Sequence, residues 1–406
     1  TLDKSIFFGS LIKKNKNMIK IFVSSVCILT ITLGVSRFGF TPILPIMQAE
    51  AGLGVAEGGW VTSAHYLGYL VGVIVSYTLV TTKQKEQFLM FGLLSSILST
   101  VLMAVTTSFL YWSIIRFFAG LSGAAGVIIG AGLTMQWMQH KSNRPPQLGF
   151  YFSGIGFGII LSGLASIFFS QNQLRWNEHW LGFGALSLLL FFPAWFLRPI
   201  INEKLIAKRN SVSTEAKTEN TLIDFICILS MYFFAGLGFV VSATFTLALA
   251  VERGFVQEDS LLAWLLVGVV SIPSLFFWDY VEKRASMFLA LFSAIMMHAL
   301  SLLSAVFFED FSTFVISTLL FGMSNLGIVS LTMTLAGRLN PANASKEMAR
   351  LTFGFALALI IGPFFTGVLA EYSGSYDVPI LIAGCLMLLG GMLIVIREFF
   401  LKKDKI

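Results

Sequence analysis

Charged residues are scarce in this sequence: Asp, Glu, Lys and Arg make up 12% of its 406 residues, whereas a soluble domain carries about 25%. Hydrophobic residues make up 56%, and the mean hydropathy is +0.83. These values exclude a water-soluble fold. The apolar runs are continuous and do not alternate every second residue, which excludes a transmembrane β-barrel. The composition predicts an all-α integral membrane protein.

Cysteine and histidine are also rare. The three cysteines, Cys27, Cys227 and Cys385, each lie inside an apolar run, which indicates neither a disulfide framework nor a metal site. The sequence contains no histidine pair at zinc-binding spacing, no serine-centred elbow and no phosphate-binding loop with lysine. These absences argue against an enzyme and against ATP-driven transport, so no cofactor and no metal is predicted. The net charge of +6 does not indicate nucleic acid, because in a membrane protein the distribution of charge matters more than its sum.

Hydropathy, interrupted by Gly, Pro and charged clusters, divides the chain into twelve predicted transmembrane helices in two six-helix bundles. The expected spans are 19–47, 58–81, 87–106, 109–138, 148–170, 177–197, 222–250, 260–279, 286–307, 311–337, 347–371 and 378–400. The expected organisation is a cytoplasmic tail over 1–18, a first bundle over 19–197, a cytoplasmic linker over 198–221, a second bundle over 222–400 and a short cytoplasmic tail over 401–406.

The basic residues predict the orientation. On the twelve-span map, 23 of the 27 Lys and Arg residues fall on one side of the membrane, and Arg175 and Arg253 fall on the other. By the positive-inside rule both termini and the linker are cytoplasmic. We therefore expect a monomeric multi-pass protein of the bacterial inner membrane, with the lipid bilayer as its surroundings. Arg37 and Arg116 remain inside the membrane.

The two halves resemble each other weakly. Trp60 corresponds to Trp264, and Gly158-Ile-Ile-Leu-Ser-Gly-Leu corresponds to Gly362-Pro-Phe-Phe-Thr-Gly-Val. The matches occur in the same order, which favours an internal duplication. In transporters built from such repeats the substrate site lies between the halves near the membrane midplane.

Several motifs connect this pattern with a known family. The predicted fourth span contains Arg116-Phe-Phe-Ala-Gly-Leu-Ser-Gly-Ala-Ala, and the loop that follows the eighth span carries Asp279-Tyr-Val-Glu-Lys283-Arg284. With these motifs the chain resembles the major facilitator superfamily over essentially its whole length. Gly34-Val-Ser-Arg37-Phe-Gly-Phe-Thr-Pro-Ile-Leu-Pro and Trp60-Val-Thr-Ser-Ala-His65-Tyr-Leu-Gly-Tyr69 look like its YbfB/YjiJ-type branch. The resemblance implies two pseudo-symmetric bundles and transport by alternating access. It also implies that Asp279, Lys283 and Arg284 form a cytoplasmic gate.

The two intramembrane arginines are the first candidate site. A charged side chain at the bilayer centre costs at least about 2.5–3.5 kcal/mol, so Arg37 and Arg116 need a partner or a water-filled cavity. One interpretation is an anion site, because a guanidinium binds carboxylate or phosphate through two donors. The other is that each arginine binds backbone carbonyls and stabilises the first bundle. The family resemblance places both helices at the central cavity.

Other polar residues within the spans complete the candidate site. His65 is the best proton-coupling candidate because it titrates near neutral pH and no acidic residue lies at mid-membrane depth. Arg116, neutralised by a carboxylate of the substrate, is a second. The remaining substrate-binding candidates are Tyr66, Tyr69, Asn325, Gln136 and Trp264. For each of them, packing between helices is the alternative.

These features predict a secondary transporter for a small polar or anionic organic solute, with proton symport as an option and uptake slightly favoured. A carboxylate metabolite and a polycarboxylate siderophore both fit this description. Gly362-Pro363 lies in the eleventh span, and the fifth has no proline, unlike drug antiporters of the superfamily. The alternatives are a drug or metabolite exporter of the same fold and, in another class, a membrane enzyme or solute sensor.

Overall fold

The computed structural model describes residues 18–141, 147–198, 222–254, 257–307 and 310–403. All secondary structure in these ranges is helical, which confirms the predicted all-α class there. The long helices, numbered α1 to α12, are Met18–Glu50, Val55–Thr78, Thr82–Leu102, Phe109–Gln139, Gly149–Gln171, Trp176–Phe196, Leu222–Glu252, Gln257–Arg284, Met287–Phe307, Phe311–Leu339, Ala344–Ser373 and Asp377–Lys403.

Ten of the helices in the described residues are long and apolar enough to cross a membrane. Helices α2 and α3 do not meet that criterion, because α3 begins with Lys83, Lys85 and Glu86 and α2 contains Glu57, His65 and several glycines. Many large apolar side chains lie on the outer surface of the helices, which suits contact with lipid. The count of twelve spans stays a prediction.

Helices α1 and α4 are not regular along their lengths. Helix α1 has a π-helical turn at Thr30–Val35, and α4 has one at Ala125–Gly130. The two turns meet at Thr32 and Gly126. A Cβ atom added to Gly126 would lie 2.1 Å from the Thr32 hydroxyl oxygen. Such π-helical turns are frequent at functional sites. In α1 the turn ends immediately before Ser36 and Arg37.

Glycines allow the helices of the first half to approach closely. Between α1 and α5, a Cβ atom at Gly34 would lie 2.5 Å from the Cα atom of Gly158. Between α2 and α4, a Cβ atom at Gly68 would lie 1.8 Å from the carbonyl oxygen of Phe117, and one at Gly120 would lie 1.8 Å from that of His65. Small residues serve the same purpose at many helix interfaces in membranes.

Two helix pairs make the largest contacts between the first six helices and the last six. Helix α5 packs against α8, and α2 packs against α11. Near the middle of their lengths, α1 and α2 face α7, α10 and α11 across a cavity. The fold thus places side chains from both halves around one central space.

Candidate functional site

The cavity between the two halves is narrow, with a volume of about 50 Å³. This is well below the roughly 300–1,000 Å³ of ordinary small-molecule sites, so the halves must separate for an organic anion to enter. Its lining comes from α1, α2, α4 and α5 in the first half and from α7, α10 and α11 in the second. A ligand in this space would touch both halves at once.

Arg37 supplies the positive charge of the cavity. The π-helical turn of α1 ends just before it, and its guanidinium donates a hydrogen bond to the Tyr66 hydroxyl. The guanidinium carbon also lies 4.6 Å from the ring centroid of Phe38 and 5.1 Å from those of Tyr66 and Phe239. No carboxylate pairs with Arg37 in the described part of the chain. Most of its N–H donors are therefore available to a ligand.

Three candidates from α2 lie beside Arg37. His65, Tyr66 and Tyr69 occupy one face of the helix, because residues four apart lie one above the other, and all three line the cavity. His65 is 1% exposed. The backbone of Arg116 lies next to its ring, but neither ring nitrogen makes a hydrogen bond of good geometry. His65 thus brings an unsatisfied polar group to the cavity wall.

Asn325 reaches the same cavity from the second half. It lies near the middle of α10, is mostly buried and lines the cavity. Because an amide carries two donors and an acceptor, it can donate a hydrogen bond to a ligand or accept one from it. The cavity therefore has polar groups on both walls.

The structure does not bring Arg116 to the cavity lining. Its guanidinium donates a hydrogen bond to the carbonyl oxygen of Ser36 and lies 4.8 Å from the ring centroid of Phe40. Helix α1 is irregular here, since the segments Ser36–Phe38 and Phe40–Glu50 meet at Gly39. Arg116 thus crosslinks α4 to α1, and the two guanidinium groups do not converge on the cavity.

Polar contacts join the two halves where α5 begins and α8 ends. The Gln147 side chain donates to the Asp279 carbonyl oxygen and to the Glu282 carboxylate, each at 2.8 Å, and Glu282 pairs with Arg338 at 2.8 Å. The Asp279 carboxylate lies against Gly149 in the first turn of α5, where a Cβ atom would approach it to 2.4 Å. These five residues, named the α5–α8 latch, connect the two halves.

A second set of contacts joins the halves near the start of α11. The Lys85 ammonium, itself 3% exposed, donates to the Asn343 side chain at 2.7 Å. The Gln136 amide donates to the carbonyl oxygen of Ala342 at 3.1 Å. Gln136 therefore lies at the closed end and does not line the cavity.

The comparisons with known proteins agree with this architecture. The family model described as an uncharacterised MFS-type transporter, YbfB, matches residues 29–395. The chain belongs to this MFS-type transporter family. It is similar to the uncharacterized transporter YycB of Bacillus subtilis, 23% identical over 366 residues that cover 86% of each chain. It is also similar to the uncharacterized MFS-type transporter YceJ of the same species, 22% identical over 283 residues that cover 68% of this chain and 71% of the relative.

A weaker similarity extends to a eukaryote. The uncharacterized transporter mfc1 of Schizosaccharomyces pombe is 26% identical over 164 residues, 38% of this chain and 33% of the relative. Membership in the MFS-type family indicates that the chain is a transporter, and it favours this function over that of an enzyme. None of these names states a substrate.

The geometry divides the predicted site residues of this MFS-type transporter into groups. Arg37, His65, Tyr66, Tyr69 and Asn325 line one cavity. Arg116 and Gln136 bind backbone carbonyls elsewhere, as described above. Asp279 lies in the latch, whereas the neighbouring Lys283 and Arg284 are exposed to solvent. The side chain of Trp264 lies outside the described residues.

Some residues around the cavity and at the latch were not anticipated from the sequence. Tyr232, Phe239 and Phe355 line the cavity from the second half. Tyr232 carries a signal that could have identified it, because its hydroxyl lies within an otherwise apolar run. Gln147 and Glu282 are ordinary loop and helix-end residues in sequence, and only the fold brings them together across the halves.

We expect Arg116→Gln to destabilise the protein by about 1–3 kcal/mol, because the buried Ser36 carbonyl loses its charged donor. Anion affinity in the folded fraction is expected to stay within about threefold of wild type, a difference of less than about 1 kcal/mol. Melting temperature and affinity should be measured on one preparation, with the exposed Arg175→Gln as control. Unchanged melting combined with lost affinity would return Arg116 to the binding site.

Proposed function

We propose that this MFS-type protein is a secondary active transporter that carries a small organic anion through the central cavity by alternating access. The observation that carries the proposal is the position of Arg37. Its charge lies in a cavity between the two halves, and its partners there are a tyrosine hydroxyl and aromatic rings. A cation held at membrane depth without a carboxylate partner favours an anionic ligand, since each charge offsets the desolvation of the other.

The contacts between the halves support alternating access. The α5–α8 latch and the Lys85–Asn343 contact lie at one end of the bundle, so the cavity is closed at that end. We propose that this end is cytoplasmic and that the latch opens when the halves rock around the bound anion. Asp279 then acts as a gate residue that biases conformations without touching the substrate.

For this gate, Asp279→Asn is expected to change the transport rate by about tenfold, because a hydrogen bond to a charged group contributes about 1.5–3 kcal/mol. Equilibrium affinity should change much less, since the residue lies away from the cavity. Uptake rate and ligand affinity are measured in parallel, with the exposed Glu371→Gln as control. A loss of affinity as large as the loss of rate would refute the gate.

We further propose twelve membrane spans in two six-helix bundles, with both termini in the cytoplasm of a bacterium and the chain in its inner membrane. The asymmetry of Lys and Arg supports this topology. Single cysteines at positions 141 and 346 should react with an impermeant thiol reagent from the cytoplasmic side, and cysteines at 257 and 375 from the outside. They are introduced into a variant whose three native cysteines are replaced. One clear inversion among the four would contradict the topology.

Uptake with protons is the proposed mode. His65 lines the cavity next to Arg37, and an imidazole can take up a proton beside the bound anion. The absence of a Gly-Pro pair from α5 supports uptake over export, as it distinguishes the chain from drug antiporters.

The transport proposal is tested with purified protein in proteoliposomes under an inward proton gradient. The solutes are aliphatic and aromatic monocarboxylates, citrate, a phosphate ester, a quaternary ammonium cation and a neutral sugar. We expect saturable uptake of at least one anion above protein-free vesicles, and a smaller rate when the gradient is collapsed. Saturable uptake of only the cation or only the sugar would overturn the proposal.

A further inference from the structure

The wall of the central cavity is more apolar than a site for a highly charged metabolite would be. Six of its lining residues are aromatic, namely Phe38, Tyr66, Tyr69, Tyr232, Phe239 and Phe355. Six more are aliphatic, and the polar groups are the side chains of Arg37, His65 and Asn325 and the hydroxyls of the three tyrosines. A ligand that fills this space must bury a largely apolar body.

The aromatic residues of the second half are arranged in parallel. The ring centroids of Tyr232 and Phe355 are 4.7 Å apart with an angle of 28° between planes. Those of Phe355 and Phe239 are 5.9 Å apart at 24°. Phe321 continues the stack beyond Phe239, with ring centroids 6.3 Å apart at 22°, so among the described rings the end of the stack is Tyr232. A flat aromatic ring can extend the stack there, whereas a puckered aliphatic ring presents no matching face.

The stack and the positive charge are adjacent. The Arg37 guanidinium carbon lies 5.1 Å from the ring centroid of Phe239. One small molecule can therefore place a carboxylate on Arg37 and its ring against the stack. Among the described residues that line the cavity, only Arg37 carries a formal charge, because Arg116 binds the Ser36 carbonyl instead. A second carboxylate would lose its hydration without gaining a permanent cation, since a histidine is charged only while it holds a proton.

We infer that the transported anion is an aromatic monocarboxylate, with its carboxylate on Arg37 and its ring against the stack of Tyr232, Phe355 and Phe239. This inference rests on the proposed function and names the substrate class within it. It selects against the polycarboxylate siderophore that the sequence alone left open.

Binding to purified protein tests the inference with four probes that share one two-ring carbon skeleton. The probes are 2-naphthoate, its saturated decahydro analogue, 2,6-naphthalenedicarboxylate and 2-naphthalenemethanol. We expect 2-naphthoate to bind about tenfold tighter than the saturated acid because of ring stacking. It should bind at least about tenfold tighter than the dicarboxylate and about thirtyfold tighter than the uncharged alcohol.

Variants connect this selectivity to the stack. In Phe355→Leu the preference for 2-naphthoate over the saturated acid should fall from about tenfold to less than about threefold, because the stack loses its middle ring, between Tyr232 and Phe239. The control is Phe364→Leu in the same helix, whose side chain is 68% exposed and should leave the preference unchanged. Citrate is included as a fifth probe with wild type and Arg37→Gln.

The possible outcomes distinguish a failure of this inference from a failure of the proposed function. Tighter, Arg37-dependent binding of citrate or of the dicarboxylate overturns the inference and leaves anion transport standing. Equal binding of the aromatic and saturated acids overturns the inference in the same way. Binding of the alcohol as tight as that of 2-naphthoate, with no anion preferred, overturns both.

Discussion

Replacing Arg37 by glutamine is expected to weaken anion binding by roughly thirtyfold, because a hydrogen bond to a charged group contributes on the order of 2 kcal/mol. Arg37→Lys should weaken it by a smaller factor, since lysine keeps the charge but loses the planar pair of donors. Neither change should prevent folding, because Arg37 is only half-buried and its protein partners are one hydroxyl and three rings.

Equilibrium binding and melting temperature on the same detergent-purified samples check this expectation. The control is Arg175→Gln, an arginine on the protein surface, which should leave affinity unchanged. Normal anion affinity in a well-folded Arg37→Gln protein would remove this residue from the site. Early melting of Arg37→Gln without loss of affinity would assign Arg37 a structural role like that of Arg116.

The second large effect is expected where α2 and α4 touch. Alanine at Gly120 would place its Cβ atom 1.8 Å from the His65 carbonyl oxygen and 2.8 Å from the backbone nitrogen of Tyr69. Both obstacles are backbone, so the helices must separate. We expect Gly120→Ala to destabilise the protein by about 3 kcal/mol or more, at the upper end of overpacking effects. Gly68→Ala should behave alike, because its Cβ atom would approach the Phe117 carbonyl oxygen to the same distance.

Thermal melting and the yield of monodisperse protein measure this effect. Gly59→Ala is the matched control, since Gly59 lies in the same helix as Gly68 and a Cβ atom there meets nothing within 4 Å. Wild-type melting of Gly120→Ala would contradict the close approach of the two helices. His65 and Tyr69 lie at this contact, so a folded Gly120→Ala protein should also bind anions more weakly.

The sequence predicted which helices carry the candidate residues better than which way each residue points. Arg37 and Arg116 were both placed inside predicted spans, and both lie in helices long and apolar enough to cross a membrane. Which of them faces the cavity depends on a rotation about the helix axis, which the π-helical turn at Thr30–Val35 alters. The carbonyl acceptor for Arg116 arises where α1 is irregular, and hydropathy does not show such a site.

For the second half, the sequence predicted a polar residue at the site but not the aromatic residues that line the cavity. Asn325 stood out because an amide is rare in an apolar run. Phe239 and Phe355 are two of 40 phenylalanines, and nothing in the local sequence separates them from those that face lipid. The α5–α8 latch was visible only through Asp279, since Gln147 and Glu282 lie 135 positions apart. Long-range pairs of this kind are set by the packing of whole helices.

Solute counterflow in proteoliposomes tests most directly whether the cavity transports an organic anion. Vesicles loaded with unlabelled 2-naphthoate, and in parallel with unlabelled citrate or acetate, are diluted into a trace of the same labelled anion without an ion gradient. Counterflow requires neither the direction nor the coupling ion to be known. We expect transient accumulation of label in wild-type vesicles for at least one anion, and none in vesicles with folded Arg37→Gln. Equal accumulation in both, or none for any anion with folded wild-type protein, would contradict it.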